Sequence, residues 1–221
     1  MSRGGFCRSL RVTAVVLWSL TPSLASTADV AGAPASRSTP VMALAGDASD
    51  GAPAAEAAAI ATRFHLELAG RLQAELVEGG PAHAVGVCHE AAPAIARRLS
   101  AETGWEVKRV GTRVRNAARG TPDAWERARL DEFAARLAAG EKPEALTAWA
   151  EERVPAGTRQ RFTKAIAVGP LCVTCHGDPA AQPAALRERL RALYPADEAT
   201  GYRVGELRGA FVLQRLRPSR R

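Results

Sequence analysis

Apolar residues in the first part of the chain follow helical spacing. Between Ala54 and Val77 they recur at every fourth position, which predicts a long amphipathic helix. The adjacent glycines Gly79 and Gly80 then end this helix. The positions that carry the spacing are Ile60, Phe64, Leu68, Leu72 and Leu76.

A second helix is predicted from Pro81 to Leu99, because proline is favoured in a first helical turn and an apolar stripe follows it. Cys88 lies on this stripe and His89 lies at its edge. Pro93 falls inside the helix, where it has no N–H to donate and its ring crowds the carbonyl four residues before it. We therefore expect a kink about one turn after Cys88.

The second half of the chain mixes strand-like and helical patterns. Alternation of apolar and polar residues predicts strands, and breaks at glycine or proline separate them from two further helices. Helices followed by strands with interspersed helices indicate an α+β fold. The predicted strands are Trp105–Val114, Trp149–Glu152 and Arg161–Val168, with a terminal hairpin inside Gly201–Leu216, and the helices are Thr121–Gly140 and Pro183–Leu193.

Residues 1–28 have the pattern of a secretory signal peptide. Three arginines precede an apolar run from Val12 to about Leu24, and small residues allow cleavage after Ala25 or Ala28. The run is shorter than the roughly 20 residues of a membrane span, so we expect export to the periplasm with no membrane attachment after cleavage.

Composition divides the remainder into three parts. Residues 29–53 are rich in Ala, Gly, Ser, Pro and Thr without periodicity, which predicts a flexible linker. Residues 54–216 form one domain, and residues 217–221 form a short basic tail. Loss of a leader with three arginines and no acid lowers the formal net charge by 3, from +7 to +4. The remaining arginines are dispersed, which argues against nucleic-acid binding.

The candidate chemistry begins with Cys172, Cys175 and His176, which form a CxxCH motif. This is the attachment motif of c-type haem, in which both thiols become thioethers and the histidine binds the iron. An exported chain reaches the compartment where haem c is attached, so we expect one covalently attached haem. The leader removes Cys7, which leaves Cys88 as the third cysteine of the mature chain.

Two other interpretations of the cysteines stay open. A thiol-disulfide motif requires a helix N-terminus that lowers the pKa of the first cysteine, and Gly177-Asp178-Pro179 ends the element too early for that. A tetrahedral zinc site of Cys88, Cys172, Cys175 and a histidine leaves the adjacency of His176 unexplained.

The sixth ligand of the iron is not decided by spacing. Both methionines, Met1 and Met42, lie in the leader or linker, which argues against the His/Met ligation of ordinary electron carriers. Water is one candidate, and the residues that remain are Cys88, His65, His83 and His89.

Several short motifs together resemble the Tll0287-like (DUF3365) family of haem c proteins. The resemblance extends from about Ala59 to Leu213. The motifs are Val87-Cys88 with Ala92-Pro93-Ala94-Ile95-Ala96, Gly104-Trp105, Arg115-Asn116, Pro122-Asp123-Ala124-Trp125-Glu126, the CxxCH with Gly177, Tyr194-Pro195-Ala196-Asp197, and Ala199-Thr200-Gly201-Tyr202 with Gly209.

The resemblance implies a PAS-like domain, an antiparallel sheet flanked by helices, with a long N-terminal helical segment. It also implies an unusual His/Cys axial pair, with His176 as the proximal ligand and Cys88 as the distal ligand. A thiolate ligand favours ferric iron and lowers the reduction potential. Arginines 109, 113 and 115 are then candidates to pair with the haem propionates.

The function expected from these observations is that of an exported monohaem c-type protein in redox or small-ligand sensing or low-potential electron transfer. Such a protein acts on an unidentified redox or signalling protein partner, and no catalytic constellation apart from the haem indicates an enzyme. The alternatives are a peroxidase-like haem enzyme with an open sixth position, and a non-haem thiol or metal-binding protein.

Overall fold

A long helical segment opens the described part of the fold. The computed structural model describes residues 51–219. Helix α1 spans Gly51–Gly86 and is interrupted at Gly80, which has φ 70° and ψ −173°. Because a positive φ is tolerated best by glycine, the predicted break at Gly79-Gly80 is confirmed. The helix begins at Gly51, three residues before the predicted start of order.

A π-helical turn follows α1 directly and occupies Val87–Ala91. Its defining hydrogen bond runs from the N–H of Ala92 to the carbonyl oxygen of Val87, five residues earlier. Helix α2 then spans Ala92–Thr103. The expected distortion therefore exists, but it lies at Cys88 itself and not one turn after it. A π-helical turn contains one residue more than an α-helical turn, and here it lies just before Pro93, which has no N–H to donate to a helical hydrogen bond.

Four antiparallel strands form one sheet in the order β1-β4-β3-β2. Strands β2 and β3 confirm the predicted meander and are longer than expected. The strand bounds are Glu106–Gly111 for β1, Thr147–Val154 for β2, Gly157–Ala167 for β3 and Leu207–Arg217 for β4.

Helices α3 to α6 lie in the connections between strands. Helix α4 begins with a capping box in which the Asp123 carboxylate accepts from the N–H of Glu126, and the Glu126 carboxylate accepts from the N–H of Asp123. This cap explains why the helix starts where the sequence predicts. The helix bounds are Ala117–Gly120 for α3, Ala124–Ala138 for α4, Val173–His176 for α5 and Ala184–Leu193 for α6.

Both faces of the sheet are covered. On one face, Phe162, Phe211 and Leu213 pack with the buried side of α1, including Phe64. On the other face, Val110 and Val212 pack with Leu130 and Phe133 of α4. A smaller cluster joins Val85 of α1 to Leu186, Leu190 and Tyr194. This arrangement confirms the α+β fold, an antiparallel sheet flanked by helices with a long N-terminal helical segment.

The predicted terminal hairpin is wrong. Residues from Gly201 to Glu206 form a loop, and only Leu207–Arg217 is a strand. The loop is folded by Gly201 and Gly205, with φ 69° and 90°, and by the buried ring of Tyr202. Apolar alternation around Gly209 indicated two strands, but Tyr202 packs inward toward residues of the site described below.

The predicted signal peptide lies outside the described residues, as do residues 29–50 of the predicted linker and the last two residues of the basic tail. Within residues 51–219, no helix has the length and apolar character that would let it cross a membrane.

Candidate cofactor site

The CxxCH motif folds as a single helical turn. Helix α5 covers Val173–His176, with Cys172 at its N-cap. The N–H groups of Cys175 and His176 both point to the carbonyl oxygen of Cys172, at 3.2 and 2.9 Å. A side chain at Gly177 would place its Cβ 2.5 Å from the Val173 carbonyl oxygen. Glycine therefore lets the chain leave the turn immediately after the histidine.

His176 is held by a loop from far along the chain. Its Nδ1 lies 2.7 Å from the carbonyl oxygen of Ala199, so Nδ1 carries the proton and donates. The N–H groups of Tyr202 and Gly201 donate to the carbonyls of His176 and Gly177, each at 2.8 Å. The ring of Tyr202 meets the imidazole edge-on at 6.1 Å. These contacts fix the ring orientation and leave Nε2 as the free, unprotonated nitrogen.

The environment of His176 favours the neutral imidazole. Burial, assisted by the guanidinium groups of Arg208, Arg115 and Arg109, lowers its pKa to about 2, while the hydrogen bond to Ala199 acts in the opposite direction. A neutral imidazole with one nitrogen hydrogen-bonded and the other free is the form that binds a metal ion.

Arg115 connects the CxxCH turn to the same loop. Its Nε donates to the carboxylate of Asp197 at 2.9 Å; the Arg115 side chain is buried and that of Asp197 is partly buried, with 7% and 11% exposed. Its Nη2 donates to the carbonyl oxygens of Cys175 and Ala199, at 2.6 and 3.3 Å. The Nε and Nη2 groups of Arg115 are thus engaged by protein groups that belong to the turn and the loop.

The structure brings Cys88 to the same region as the CxxCH motif. Cys88 is partly buried in the π-turn. Burial raises the pKa of the Cys175 thiol, and the nearby Cys88 raises it further, while Arg115 lowers it. Arg109 lies within electrostatic reach of both Cys88 and His176. Cys175 also packs against the cluster that contains Val85, three residues before Cys88. The end of α1 that leads into the π-turn therefore lies beside helix α5.

The two non-haem interpretations of the cysteines gain little from the geometry. Helix α5 ends at His176, a single turn after Cys172, which agrees with the sequence argument against a thiol-disulfide motif. Among residues 51–219, one group of three potential metal ligands has its ligand atoms within 4.8 Å of one another. It consists of Glu75, Glu78 and His83 on the surface of α1. Over the same residues, the site cysteines do not form such a group, as a tetrahedral zinc site would require.

Comparison with known proteins decides the family. The family model described as Tll0287-like matches residues 28–214. The chain belongs to the Tll0287-like family. One similar solved structure is titled "Crystal structure of the cyanobacterial heme-protein Tll0287". Its sequence is 25% identical, the match covers 59% of this chain and 71% of that chain, and the TM-score is 0.46. No protein with a curated description matches the sequence.

The other histidines of this Tll0287-like chain have different environments. His83 is exposed, and its Nε2 is engaged by Glu75 at 2.6 Å. His65 is exposed on α1. His89 lies in the π-turn beside Cys88, packs edge-on against Tyr194 at 5.3 Å, and has a buried Nδ1 without a hydrogen-bond partner. His89 is therefore the histidine to compare with Cys88 as a second ligand.

Several residues around the site were not expected from the sequence. Ala199 contributes a backbone carbonyl, which no side-chain pattern can reveal. Tyr194 and Tyr202 fall in short motifs that the family resemblance contains, so their positions were visible but their contacts were not. Arg208 follows Leu207 at the start of β4, and strand arginines are usually solvated, so nothing in the sequence distinguished it from the others.

Proposed function

We propose that this chain is an exported, periplasmic monohaem c-type protein in which Cys172 and Cys175 hold one haem covalently. His176 serves as the proximal ligand and Cys88 as the distal ligand. Membership of the Tll0287-like family supports the proposal, because the resemblance to that family implies haem c. The haem would supply a one-electron iron couple, and the protein would set its ligands and surroundings.

The observation that carries the proposal is the hydrogen bond between His176 Nδ1 and the Ala199 carbonyl. A histidine that binds metal almost always donates its other N–H to a carbonyl or carboxylate, which orients the ring. This bond, together with burial that keeps the imidazole neutral, fits an iron ligand adjacent to two cysteines on one helical turn.

Cys88 is the proposed second ligand because its position meets two requirements. It is partly buried in a distorted helical turn, and it lies within electrostatic reach of both Cys175 and the cationic Arg109. Thiolate ligation lowers the reduction potential and favours ferric iron. We therefore propose a role in redox or small-ligand sensing or low-potential electron transfer with a protein partner, and no enzymatic activity.

The test is the full chain expressed with a c-type haem maturation system. We expect one haem's mass on the protein, a Soret band, and a low-spin ferric EPR signal with thiolate character. Cys88→Ala should abolish that signature and leave the covalent attachment intact. His89→Phe is the matched control from the neighbouring position and should keep the wild-type signal.

Three results would contradict parts of the proposal. Protein without attached haem after maturation would remove the haem assignment altogether. An unchanged spectrum in Cys88→Ala, with a changed spectrum in His89→Phe, would transfer the distal ligand to His89. A high-spin wild-type signal with an open sixth position would favour the peroxidase-like alternative.

A further inference from the structure

Positive charge is concentrated around His176 beyond what the nearby acids neutralise. Arg115 is paired with Asp197. Arg113 pairs with Glu206 at 3.4 Å, and its guanidinium lies 3.6 Å from the centre of the Tyr202 ring. The last two arginines of this group, Arg109 and Arg208, have no carboxylate within ion-pair distance among residues 51–219.

Arg208 is held in place but not neutralised. Its Nη1 donates to the carbonyl oxygen of Arg113 at 3.1 Å, and its guanidinium lies 5.4 Å from the centre of the Tyr202 ring. Its Nε is buried and has no hydrogen-bond partner. A Cβ on Gly111 would come within 2.8 Å of Nη1, so the glycine leaves the space that this guanidinium occupies. An oriented guanidinium with an unused buried donor is suited to bind an anion.

Arg109 approaches the site from strand β1. Its guanidinium lies 5.5 Å from the centre of the Phe64 ring, on the sheet face that packs against the N-terminal helices. Burial lowers the pKa of Arg109, with Cys88 and Tyr194 acting in the opposite direction. Burial likewise lowers the pKa of Arg208. Both residues are half-buried. A partly desolvated cation without a carboxylate partner is costly, so both positions favour a ligand that brings negative charge.

We propose that Arg109 and Arg208 bind the two propionate carboxylates of the haem, an inference that rests on the proposed function. Two carboxylates on one edge of the porphyrin match two unpaired guanidinium groups near the histidine that would bind its iron. Guanidinium and carboxylate form strong, directional, charge-assisted hydrogen bonds. Of the three arginines that the sequence indicated, this proposal keeps Arg109. Arg113 and Arg115 already pair with Glu206 and Asp197, so we propose Arg208 as the second contact.

The first experiment needs no substitution. The full chain purified without attached haem is titrated with ferric protoporphyrin IX and, separately, with its dimethyl ester, and binding is followed at the Soret band. The ester keeps the ring and iron but has no carboxylate charge. We expect the free acid to bind about a hundredfold more tightly, about tenfold for each arginine–carboxylate contact.

Variants then assign the contacts. Arg109→Gln and Arg208→Gln should each weaken binding of the free acid about tenfold and leave binding of the ester unchanged. Arg159→Gln, on an exposed strand position that pairs with Glu152, is the matched control and should change neither titration. Far-UV circular dichroism of each variant checks the fold. If one does not fold, the comparison of the two porphyrins on the unsubstituted chain still tests the proposal.

The possible outcomes distinguish a failure of this inference from a failure of the proposed function on which it rests. Equal affinity for the two porphyrins, or variants that weaken both equally, would overturn the propionate contacts while haem binding stands. Binding of neither porphyrin, together with no haem on the chain after maturation, would overturn the proposed function as well. A loss with free acid alone, in both variants and not in the control, supports the proposal.

Discussion

Arg115 donates to the carbonyl oxygen of Cys175 at 2.6 Å and thereby links the CxxCH turn to the body of the domain. The same guanidinium binds Asp197 and the carbonyl of Ala199, which in turn accepts from His176. One buried cation thus organises both the turn that carries the cysteines and the loop that orients the histidine. Its substitution should affect the site and the stability together.

We expect Arg115→Met to reduce the free energy of unfolding by about 3 kcal/mol, because it leaves the partly buried Asp197 carboxylate without its cation. Urea unfolding of the chain measures the change. Arg159→Met, which removes an exposed pair with Glu152, should cost about 0.5 kcal/mol or less. The double variant Arg115→Met with Asp197→Leu should recover part of the loss. Equal losses for Arg115→Met and Arg159→Met would contradict a structural role for the buried pair.

Replacement of Cys88 by methionine should raise the reduction potential of the matured protein. A neutral thioether stabilises ferrous iron relative to a thiolate, and His/Met ligation is characteristic of high-potential cytochromes. Spectroelectrochemical titration of wild type and Cys88→Met measures the difference. An unchanged potential in Cys88→Met would show that Cys88 is not a ligand. His89→Phe serves as the control and should leave the potential near that of wild type.

Gly209 is predicted to tolerate no side chain. Its φ is 159°, and a Cβ would lie 2.0 Å from the carbonyl oxygen of Val110 on the neighbouring strand. Gly209→Ala should therefore destabilise the domain by about 3 kcal/mol, through strain and a displaced strand pair. Gly70→Ala, in a helix with open space around the new methyl group, should instead stabilise the protein by up to about 1 kcal/mol. Thermal unfolding of the two variants compares them directly, and the same sign for both would contradict the assignment.

The cap of helix α4 predicts a pH-dependent contribution to stability. Burial acts to raise the pKa of Asp123, but the N–H of Glu126 and the guanidinium of Arg161 lower it below its ordinary value of 3.8. A carboxyl with a lowered pKa in the folded state stabilises the protein above the unfolded pKa and loses this effect as the pH falls through the folded pKa. Asp123→Ala should cost about 1 kcal/mol at pH 7.

Denaturant unfolding at a series of pH values tests this expectation. The difference between wild type and Asp123→Ala should stay constant from neutral pH down to about 4 and decrease below it. Thr121→Ala, a substitution two residues earlier on the exposed side of the same connection, should show no such decrease. A difference that is independent of pH down to about pH 2 would show that the charge of Asp123 does not contribute.

Local sequence patterns predicted most of the helices and strands correctly, because the interactions that start and end these elements involve residues close together in the sequence. Helical spacing and the Gly79-Gly80 break each act over a few residues, and each appears in the structure. The α+β order and the family followed from these patterns and are confirmed.

The features that the sequence did not reveal depend on contacts between distant residues. The hairpin predicted within Gly201–Leu216 is wrong because Tyr202 packs against His176, 26 positions earlier, instead of alternating across a strand. The partner of each arginine is likewise a tertiary property. Arg115 and Arg208 look alike in the sequence, yet one faces Asp197 and the other has no carboxylate partner among the described residues.

The hydrogen bond from His176 to Ala199 joins residues 23 positions apart, and the acceptor is the later of the two. During synthesis the CxxCH segment therefore emerges before the group that selects its tautomer exists. Until the loop from Ala199 to Tyr202 has folded back, either imidazole nitrogen can carry the proton. The choice of which nitrogen faces the cofactor thus depends on the C-terminal part of the chain.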